Sequence, residues 1–243
     1  MRLTRIYVDA PLEPGGRITL RGGAASHVTR VLRLRVGQAL TLFNGQGGEH
    51  VARIDSSQGG KVTVAVGEHR PIERESPCSL TLAQGVSRGE RMDLVVQKAT
   101  ELGVSRLVPV LTERSVVRLD ARQADRKSNH WRAIAIAACE QCGRNRVPEV
   151  APPAQLREFL RQAAGDGAAL LLSPDAALRI EDVPRPMNGI AVLIGPEGGL
   201  SDAEQQDAQA AGFTAVHLGP RVLRTETAAI AALTLLQREF GDL

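Results

Sequence analysis

The sequence predicts an α/β protein of two domains, a small β domain followed by a larger domain with a largely parallel sheet. The chain has 243 residues, a length that suits two domains of unequal size. Its first seventy residues hold short strand-like runs separated by glycine turns. From residue 79 onwards, apolar strand-like runs alternate with helical patterns, which is the order of an α/β domain.

The β domain contains five short runs with the period-two patterning of strands. The runs span residues 5–8, 17–20, 39–43, 50–54 and 61–66. Glycines fall between them, where turns need positive φ. Residues 24–34 have the pattern of a helix, which brings His27, Arg30 and Arg33 or Arg35 together on adjacent turns. We therefore expect a small β barrel with one helix.

A linker separates this domain from the next. Residues 69–77 hold two prolines, several charges and one apolar residue, which predicts domains of residues 1–73 and 74–243. In the second domain the predicted strands are 79–83, 106–111, 168–172, 190–194 and 215–218. The predicted helices are 90–102, 121–142, 153–164, 202–211 and 226–240. The strands 168–172 and 190–194 are continuously apolar, as strands covered by helices on both faces are.

Composition excludes several classes of protein. Hydrophobic residues make up 43% of the chain, and no apolar run approaches the roughly 20 residues of a membrane-spanning helix. The N-terminus lacks the apolar stretch and cleavage site of a secretory signal, so a cytoplasmic protein is expected. Three cysteines are too few for a disulfide framework. Cys139 and Cys142 have C-x-x-C spacing, but no second pair completes a zinc site, so neither a metal nor a redox role is expected.

Positive charge is concentrated near the N-terminus. The net charge is +3, but residues 1–35 hold seven arginines against two acidic residues. The arginines are Arg2, Arg5, Arg17, Arg21, Arg30, Arg33 and Arg35. This excess predicts a face that binds phosphate, and a solvated surface is the alternative.

Two loops carry the candidate chemistry, because open α/β sheets bind ligands beyond the carboxyl ends of their strands. The first loop, residues 195–202, follows the strand 190–194 and begins Gly195-Pro196-Glu197-Gly198-Gly199. Three glycines and a proline in five residues make a tight turn that a ligand can approach closely. An ordinary structural turn is the alternative. Ser201 is the expected N-cap of the next helix.

The second loop, residues 218–228, leads into the last helix. Arg224, Thr225, Glu226 and Thr227 place a cation, two hydroxyls and a carboxylate at the start of that helix. One interpretation is capping, with Thr225 as the N-cap and Glu226 complementing the helix dipole. The other is a loop whose polar groups act on a substrate.

Together the two loops resemble the signature of the SPOUT superfamily of knotted methyltransferases. The whole chain resembles one of its families, the small-subunit ribosomal RNA uridine N3-methyltransferases, which modify a uridine in the decoding region. Six blocks carry the resemblance, from end to end of the chain: Val31-Leu32-Arg33-Leu34 with Gly37, Gln97-Lys98-Ala99-Thr100-Glu101-Leu102-Gly103-Val104, Glu113-Arg114-Ser115, Glu140-Gln141-Cys142-Gly143-Arg144, Gly195-Pro196-Glu197-Gly198-Gly199, and Leu218-Gly219-Pro220-Arg221-Val222-Leu223-Arg224-Thr225-Glu226-Thr227-Ala228.

The resemblance implies a PUA-like β barrel followed by a SPOUT-type trefoil-knotted α/β methyltransferase domain that works as a homodimer. It implies S-adenosylmethionine as cofactor, held largely by backbone groups. The residues expected to bind it are Leu172, Ile194, Gly195, Pro196, Glu197, Gly198, Gly199, Leu218, Gly219, Leu223, Thr225, Thr227 and Ala228. Ribosomal RNA is the expected partner, and Arg5, Arg30, Arg33, Lys98, Arg114 and Arg144 are expected to bind it. For Lys98, a solvated face shared with Glu101 is the alternative.

The chemistry assigns roles to three residues. N3 of uridine must lose a proton as it attacks the methyl group, so the enzyme needs anion stabilisation and a proton acceptor. Arg224 is the candidate for the first, and Glu226 or Glu140 for the second. Ribose 2′-O-methylation by the same fold and RNA binding without catalysis are the competing functions.

The last helix predicts assembly. Residues 226–240 are apolar around most of the helix, which therefore requires cover on more than one side. A second protomer is one cover, with Ala232 on the outer face, and an intramolecular core is the alternative.

Overall fold

We describe the protein from a computed structural model, in residues 4–115, 119–163, 167–186 and 188–243. Arg2 and Ala164, which figure in the expectations above, lie outside these residues. The chain divides into two compact units. The first comprises Met1–Glu75 with Cys139–Val147, and the second comprises Ser76–Ala138 with Pro148–Leu243. No helix in the described part of the chain is long and apolar enough to cross a membrane.

The first unit is built on a five-stranded sheet. Its strands are β1 Arg5–Tyr7, β2 Arg17–Leu20, β3 Ala39–Phe43, β4 Glu49–Gln58 and β5 Lys61–Arg70. They lie in the order β1-β3-β4-β5-β2. β1 pairs with β3 in parallel, and the other pairs are antiparallel. Gly59 and Gly60 both have positive φ, as a two-residue hairpin turn between β4 and β5 requires. Alternate residues such as Leu40, Val62 and Val64 are fully buried and form the core of this unit.

The predicted helix of residues 24–34 is shorter than expected. The structure has α1, Gly22–Ser26, followed by a π-helical turn over His27–Val31. The chain leaves the helix at Arg33, whose φ is 53°. Leu32 and Leu34 then pack against the core, which gives an apolar reason for the early end.

The first unit also takes a segment from later in the chain, Cys139–Val147, which the predicted boundary at residue 74 assigned to the second domain. Buried polar groups account for this return. The amide of Asn145, itself fully buried, donates to the carbonyl oxygen of Ile72. The Tyr7 N–H donates to the carboxylate of Glu140 across 2.9 Å. A segment with such partners is bonded into the β domain wherever it lies in sequence.

The second unit is an α/β domain with a parallel sheet. Its strands are β6 Leu80–Gly85, β7 Arg106–Leu111, β8 Glu149–Val150, β9 Ala154–Gln155, β10 Gly167–Leu172, β11 Leu178–Arg179, β12 Asn188–Ile194 and β13 Thr214–His217. They lie in the order β11-β13-β10-β12-β6-β7-β8, with β9 beside β7. The helices are α2 Arg91–Glu101, α3 Ala121–Cys142, α4 Leu156–Ala163, α5 Asp202–Ala210 and α6 Thr225–Phe240. The pairings between its described strands are parallel, as the apolar runs predict.

Short strands are the elements that sequence patterning missed. β8, β9 and β11 have two residues each, too few to show a period. The helix predicted from residue 153 begins only at Leu156, because Ala154 and Gln155 pair with β7 first. The sheet thereby gains strands at its margins, while its centre, β10-β12-β6, consists of three strands that the sequence predicts.

Candidate functional site

A cavity of about 580 Å³ lies in the second unit, where β10, β12 and β13 end. Its walls come from the residues that follow β10 and from the two predicted loops, with the first turn of α6. The volume falls in the range of sites for small molecules, and the place is where open α/β sheets bind them.

The first loop has the tight backbone that its glycines predict. The Gly199 N–H donates to the carbonyl oxygen of Pro196 across 2.8 Å, and Gly199 has a φ of 68°. At Gly195 a Cβ would lie 3.0 Å from the carbonyl carbon of Gly199, so a side chain there requires that backbone to shift by a few tenths of an ångström. Ser201 is the N-cap of α5, as predicted, and forms a capping box with Glu204.

The end of the second loop differs from what the capping interpretation predicts. The N-cap of α6 is Arg224, which makes no side-chain capping bond, and Thr225 is the first helical residue. The Thr225 hydroxyl instead donates to the carbonyl oxygen of Gly195 across 2.7 Å. The two loops are therefore bonded to each other, and Thr225 as N-cap is wrong.

Carboxylates and guanidinium groups meet at the cavity. Arg91, from α2, lies 2.7 Å from Glu197 and 3.9 Å from Glu226, measured from guanidinium nitrogen to carboxylate oxygen. Burial alone would raise the pKa of Glu197, but hydrogen bonds from its own N–H, from the Arg88 N–H and from Arg91 outweigh it and lower the pKa. Oε2 of Glu226 is buried and has no hydrogen-bond partner among the described residues.

Most residues predicted to bind the cofactor line this cavity. They are Leu172, Ile194, Gly195, Pro196, Glu197, Gly199, Leu218, Gly219, Leu223, Thr225 and Ala228, and the candidate catalytic residues Arg224 and Glu226 line it too. Gly198 and Thr227 are not among the lining residues. Gly198 faces Arg114, whose Cβ would lie 3.1 Å from a Cβ placed on the glycine.

Sequence reasoning missed several lining residues. They are Arg91, Ser173, Pro174, Asp175, Leu200, Gln205, Arg221 and Val222. Ser173 to Asp175 directly follow β10, so the rule that ligands bind at carboxyl ends of strands would have found them. Arg91 lies more than a hundred residues before the loops, and its place depends on the packing of α2 against α6.

Glu140 belongs to the first unit and is not among the cavity-lining residues. Burial raises the pKa of its carboxyl, and the Tyr7 N–H with the charges of His27 and Arg5 offsets part of the rise. Cys139, one residue earlier, is fully buried, and burial raises the pKa of its thiol to about 12. Such a thiol is unreactive at neutral pH, so Cys139 has a structural place in this unit.

The six predicted RNA-binding residues fall into three groups. Arg30 and Arg33 are exposed. Lys98 is half-buried and pairs with Glu101, and Arg114 donates to the carbonyl oxygens of Gly198 and Leu200. Arg5 and Arg144 are buried in ion pairs with Glu49 and Glu75, so we assign them a structural role instead of phosphate contact.

Comparison with known proteins identifies the family. Residues 74–237 match the model of the RNA methyltransferase domain, and residues 20–66 match that of the RNA methyltransferase PUA domain. Ribosomal RNA small subunit methyltransferase E of Buchnera aphidicola is 33% identical over 100% of this chain and 98% of its own length. The chain belongs to the family of ribosomal RNA small subunit methyltransferase E.

Two solved members of this fold cover the whole chain. A methyltransferase of Legionella pneumophila, solved in complex with its bound cofactor SAM, is 44% identical over 100% of both chains, with a TM-score of 0.96. Ribosomal RNA small subunit methyltransferase E from Neisseria gonorrhoeae, bound to S-adenosyl methionine, is 38% identical over 100% of both, with a TM-score of 0.93. The family assignment confirms the predicted PUA-like domain followed by a SPOUT-type α/β methyltransferase domain.

Proposed function

We propose that this chain transfers a methyl group from S-adenosylmethionine to N3 of a specific uridine in the decoding region of small-subunit ribosomal RNA. The observation that carries the proposal is the cavity at the carboxyl ends of β10, β12 and β13, formed by the two loops of the family signature. The solved relatives with the same fold bind this cofactor.

The residues at the cavity fit such a cofactor. Apolar side chains, among them Leu172, Ile194 and Leu223, suit an adenine ring and the methylene groups of the cofactor. The carboxylates of Asp175, Glu197 and Glu226 suit a ligand that carries positive charge on sulfur and nitrogen. The buried Oε2 of Glu226 has hydrogen-bonding capacity that the described protein atoms do not use.

Arg224 and Glu226 are the residues that we place at the reacting base. The exposed guanidinium of Arg224 stabilises the negative charge that develops on the uracil oxygens. Glu226 accepts the N3 proton, since its carboxylate lines the cavity and Glu140 does not. The N3 electron pair forms the bond to the methyl carbon, and the carbon–sulfur bonding pair stays on sulfur. S-adenosylmethionine supplies a methyl group already activated by its sulfonium, so the reaction needs no metal.

The remaining expectations complete the proposal. We place the enzyme in the cytoplasm as a homodimer whose knots pair to complete the active site. The chain after Gly195 is then tucked through a loop to form a trefoil knot. The hydrogen bond from Thr225 to Gly195 supports close packing of these segments. The exposed arginines of the first unit, Arg30 and Arg33, bind RNA phosphate.

One assay separates the proposal from its rivals. Unmodified small-subunit ribosomal RNA, and small subunits assembled from it, are incubated with the chain and radiolabelled S-adenosylmethionine. Nucleoside analysis should then recover 3-methyluridine. Recovery of a 2′-O-methyl nucleoside would favour ribose methylation, and RNA binding without transfer would favour a non-enzymatic protein. Glu226→Gln should lose transfer, and Glu90→Gln, which changes an exposed carboxylate outside the cavity, should retain it.

A further inference from the structure

Gln84 lies at the carboxyl end of β6 and is fully buried. It is opposite Ile194, the last residue of β12, in the register of the sheet. Its side-chain nitrogen donates to the hydroxyl of Thr225 across 2.8 Å and lies 3.3 Å from the carbonyl oxygen of Gly195. Gln84 itself is not among the cavity-lining residues.

Thr225 extends this contact into a chain of hydrogen bonds. Its hydroxyl accepts from Gln84 and donates to the carbonyl oxygen of Gly195, so both of its hydrogen-bonding roles are filled. Gly195 begins the first loop and Thr225 begins α6 after the second. One buried side chain on β6 is therefore bonded to both loops that line the cavity.

Gly85, the next residue, gives an independent sign of the same contact. A Cβ on Gly85 would lie 2.3 Å from the backbone nitrogen of Pro196 and 2.5 Å from its Cδ. No side chain fits there, because the end of β6 and the backbone of the first loop are in direct contact. The strand end thus touches the loop through both its side chain and its main chain.

The choice of an amide at this position has a cost. Oε1 of Gln84 is buried with no hydrogen-bond partner among the described residues. In the unfolded chain this oxygen bonds to water, and that bond is lost on folding. An apolar side chain of similar size would fill the space without this loss, so packing alone does not account for glutamine here. Unlike an apolar side chain, the amide nitrogen donates hydrogen bonds to the hydroxyl of Thr225 and to the carbonyl oxygen of Gly195.

We propose that Gln84 and Gly85 form the seat of the two cofactor-binding loops, with Gln84 as a positioning residue that acts through Thr225 and Gly195. The inference rests on the proposed function, since it takes the cavity to be the site of S-adenosylmethionine. Gln84 touches neither the cofactor nor the RNA. Its effect is to keep the backbone of Gly195 and the start of α6 at the spacing that the cofactor requires.

The test is the dissociation constant of S-adenosylmethionine, measured by calorimetry on the full chain. Gln84→Leu and Thr225→Val should each raise Kd about tenfold, the change expected for one buried hydrogen bond. The double variant should raise Kd little beyond either single one, because both changes break the same chain of bonds.

Gln237→Leu is the matched control. Gln237 is also a buried glutamine of the second unit, and its amide donates to Leu102 and accepts from Ser76. It is not among the cavity-lining residues, so its loss should lower the midpoint of urea unfolding and leave Kd within about twofold. A role of Gln84 in stability alone predicts this same pattern for Gln84→Leu.

The outcomes are distinct. Wild-type affinity in a folded Gln84→Leu would overturn the inference and leave the proposed function intact. If the wild-type chain did not bind the cofactor, both would fall. Should Gln84→Leu fail to fold, Gln84→Met, which keeps the length of the side chain and removes its hydrogen-bonding groups, decides by the same measurement: raised Kd supports the seat, and unchanged Kd overturns it.

Discussion

Arg5 and Glu49 form an ion pair in the first unit with side chains only 4% and 11% exposed. The Arg5 guanidinium also lies 4.7 Å from the centre of the Phe43 ring. Burial alone would raise the pKa of Glu49, but hydrogen bonds and charge from Arg5, with help from Asn145 and Arg74, hold it below its ordinary value. An arginine that sequence reasoning assigned to RNA is thus bonded within the β domain.

Replacement of Arg5 should therefore destabilise the fold. Arg5→Met leaves a buried carboxylate without its cation and should lower the free energy of unfolding by about 3–5 kcal/mol at pH 7. Because the folded-state pKa of Glu49 is lowered, its contribution is present above the unfolded-state pKa and is lost as pH falls through the folded value. The effect of Arg5→Met should accordingly shrink as the pH falls below about 4.5 in urea unfolding.

Arg17→Met provides the control. Arg17 pairs with Asp55 on the same unit, but their side chains are 73% and 32% exposed. The loss of this pair should cost below about 1 kcal/mol, since water screens it. Equal costs for the two variants would contradict the structural role of Arg5.

Arg30 and Arg33 should govern the affinity for RNA. Both are exposed, so a double change to alanine should leave the free energy of unfolding within about 0.5 kcal/mol. The slope of log affinity against log salt should fall by about one unit for each phosphate group that the variant no longer binds. Filter binding to small-subunit ribosomal RNA at several salt concentrations measures the slope.

A matched double change on α3 tests whether any loss of positive charge has this effect. Arg122 and Arg126 are exposed on that helix, in the second unit. Their replacement by alanine should leave the slope nearly unchanged. If the slope stays the same without Arg30 and Arg33, these residues form a solvated surface.

Gly195 and Gly198 should differ in their effect on the cofactor. A Cβ at Gly195 would press on the backbone of Gly199 at 3.0 Å, and Gly195→Ala should raise the Kd of S-adenosylmethionine at least about tenfold. At Gly198 a Cβ would lie 3.1 Å from the Cβ of Arg114 and 3.4 Å from its carbonyl oxygen, a looser contact than at Gly195, so Gly198→Ala should raise Kd less than about threefold. Calorimetry measures both.

Gly198→Val should raise the Kd of S-adenosylmethionine more than Gly198→Ala and less than Gly195→Ala. Its larger side chain displaces Arg114 from the carbonyl oxygens of Gly198 and Leu200. Gly23→Ala is the control, since nothing lies within 4 Å of a Cβ there. A larger effect at Gly198 than at Gly195 would mean that the ligand approaches the loop from the Arg114 side.

Glu140 offers a prediction in which stability and activity separate. Its folded-state pKa is raised, chiefly by burial, so its contribution to stability is present below the unfolded-state pKa and is lost as pH rises through the folded value. Glutamine still accepts the Tyr7 N–H and carries no charge. Glu140→Gln should therefore be at least as stable as the wild type at pH 7.5, with the difference vanishing towards pH 4.5 in urea unfolding.

Methyl transfer should depend on the carboxylate of Glu226 and not on that of Glu140. If Glu226 accepts the proton, Glu226→Gln lowers kcat by about a hundredfold or more while Glu140→Gln retains it. Loss of kcat in Glu140→Gln with a normal Kd for the cofactor would return the role to Glu140.

The elements that the sequence predicts well are those whose own residues determine them. The apolar strands β10 and β12 and the long helix α3 have strong local patterns, and Ser201 with Glu204 forms a capping box within four residues. The two loops that line the cavity follow from the same local logic, because strand ends and glycine turns are visible in sequence.

The rest depends on partners distant in sequence. Arg5 pairs with Glu49, 44 residues later in the chain, and this pairing decides that it does not contact phosphate. Thr225 donates to Gly195, 30 residues earlier, and does not cap its own helix. Charge counts cannot distinguish an exposed arginine from a buried one. The seat at Gln84 gives no signal in the sequence, since a single glutamine at the end of a strand fits an ordinary polar strand end.

The last helix carries the prediction about assembly, with one change of residue. The sequence places Ala232 on the outer face, but it is fully buried in the single chain, so a charge there would break the core. Ala231 and Ile230 are half-buried and Thr234 is exposed, which marks the outer face of α6. α2 packs against α6 and exposes 39% of Leu94, so it adds apolar surface.

If a second protomer covers this face, Ala231→Glu should give monomers in light scattering and lose methyl transfer together, because a carboxylate would be buried without a partner in the two-fold interface. Ala133→Glu makes the same change at an exposed position on α3 and should leave both properties unaltered. Ala232→Glu should instead lower the stability of the single chain, whatever its assembly. A wild-type chain that is monomeric at micromolar concentration and fully active would refute the dimer, and an Ala231→Glu variant that remains dimeric would move the interface to another face.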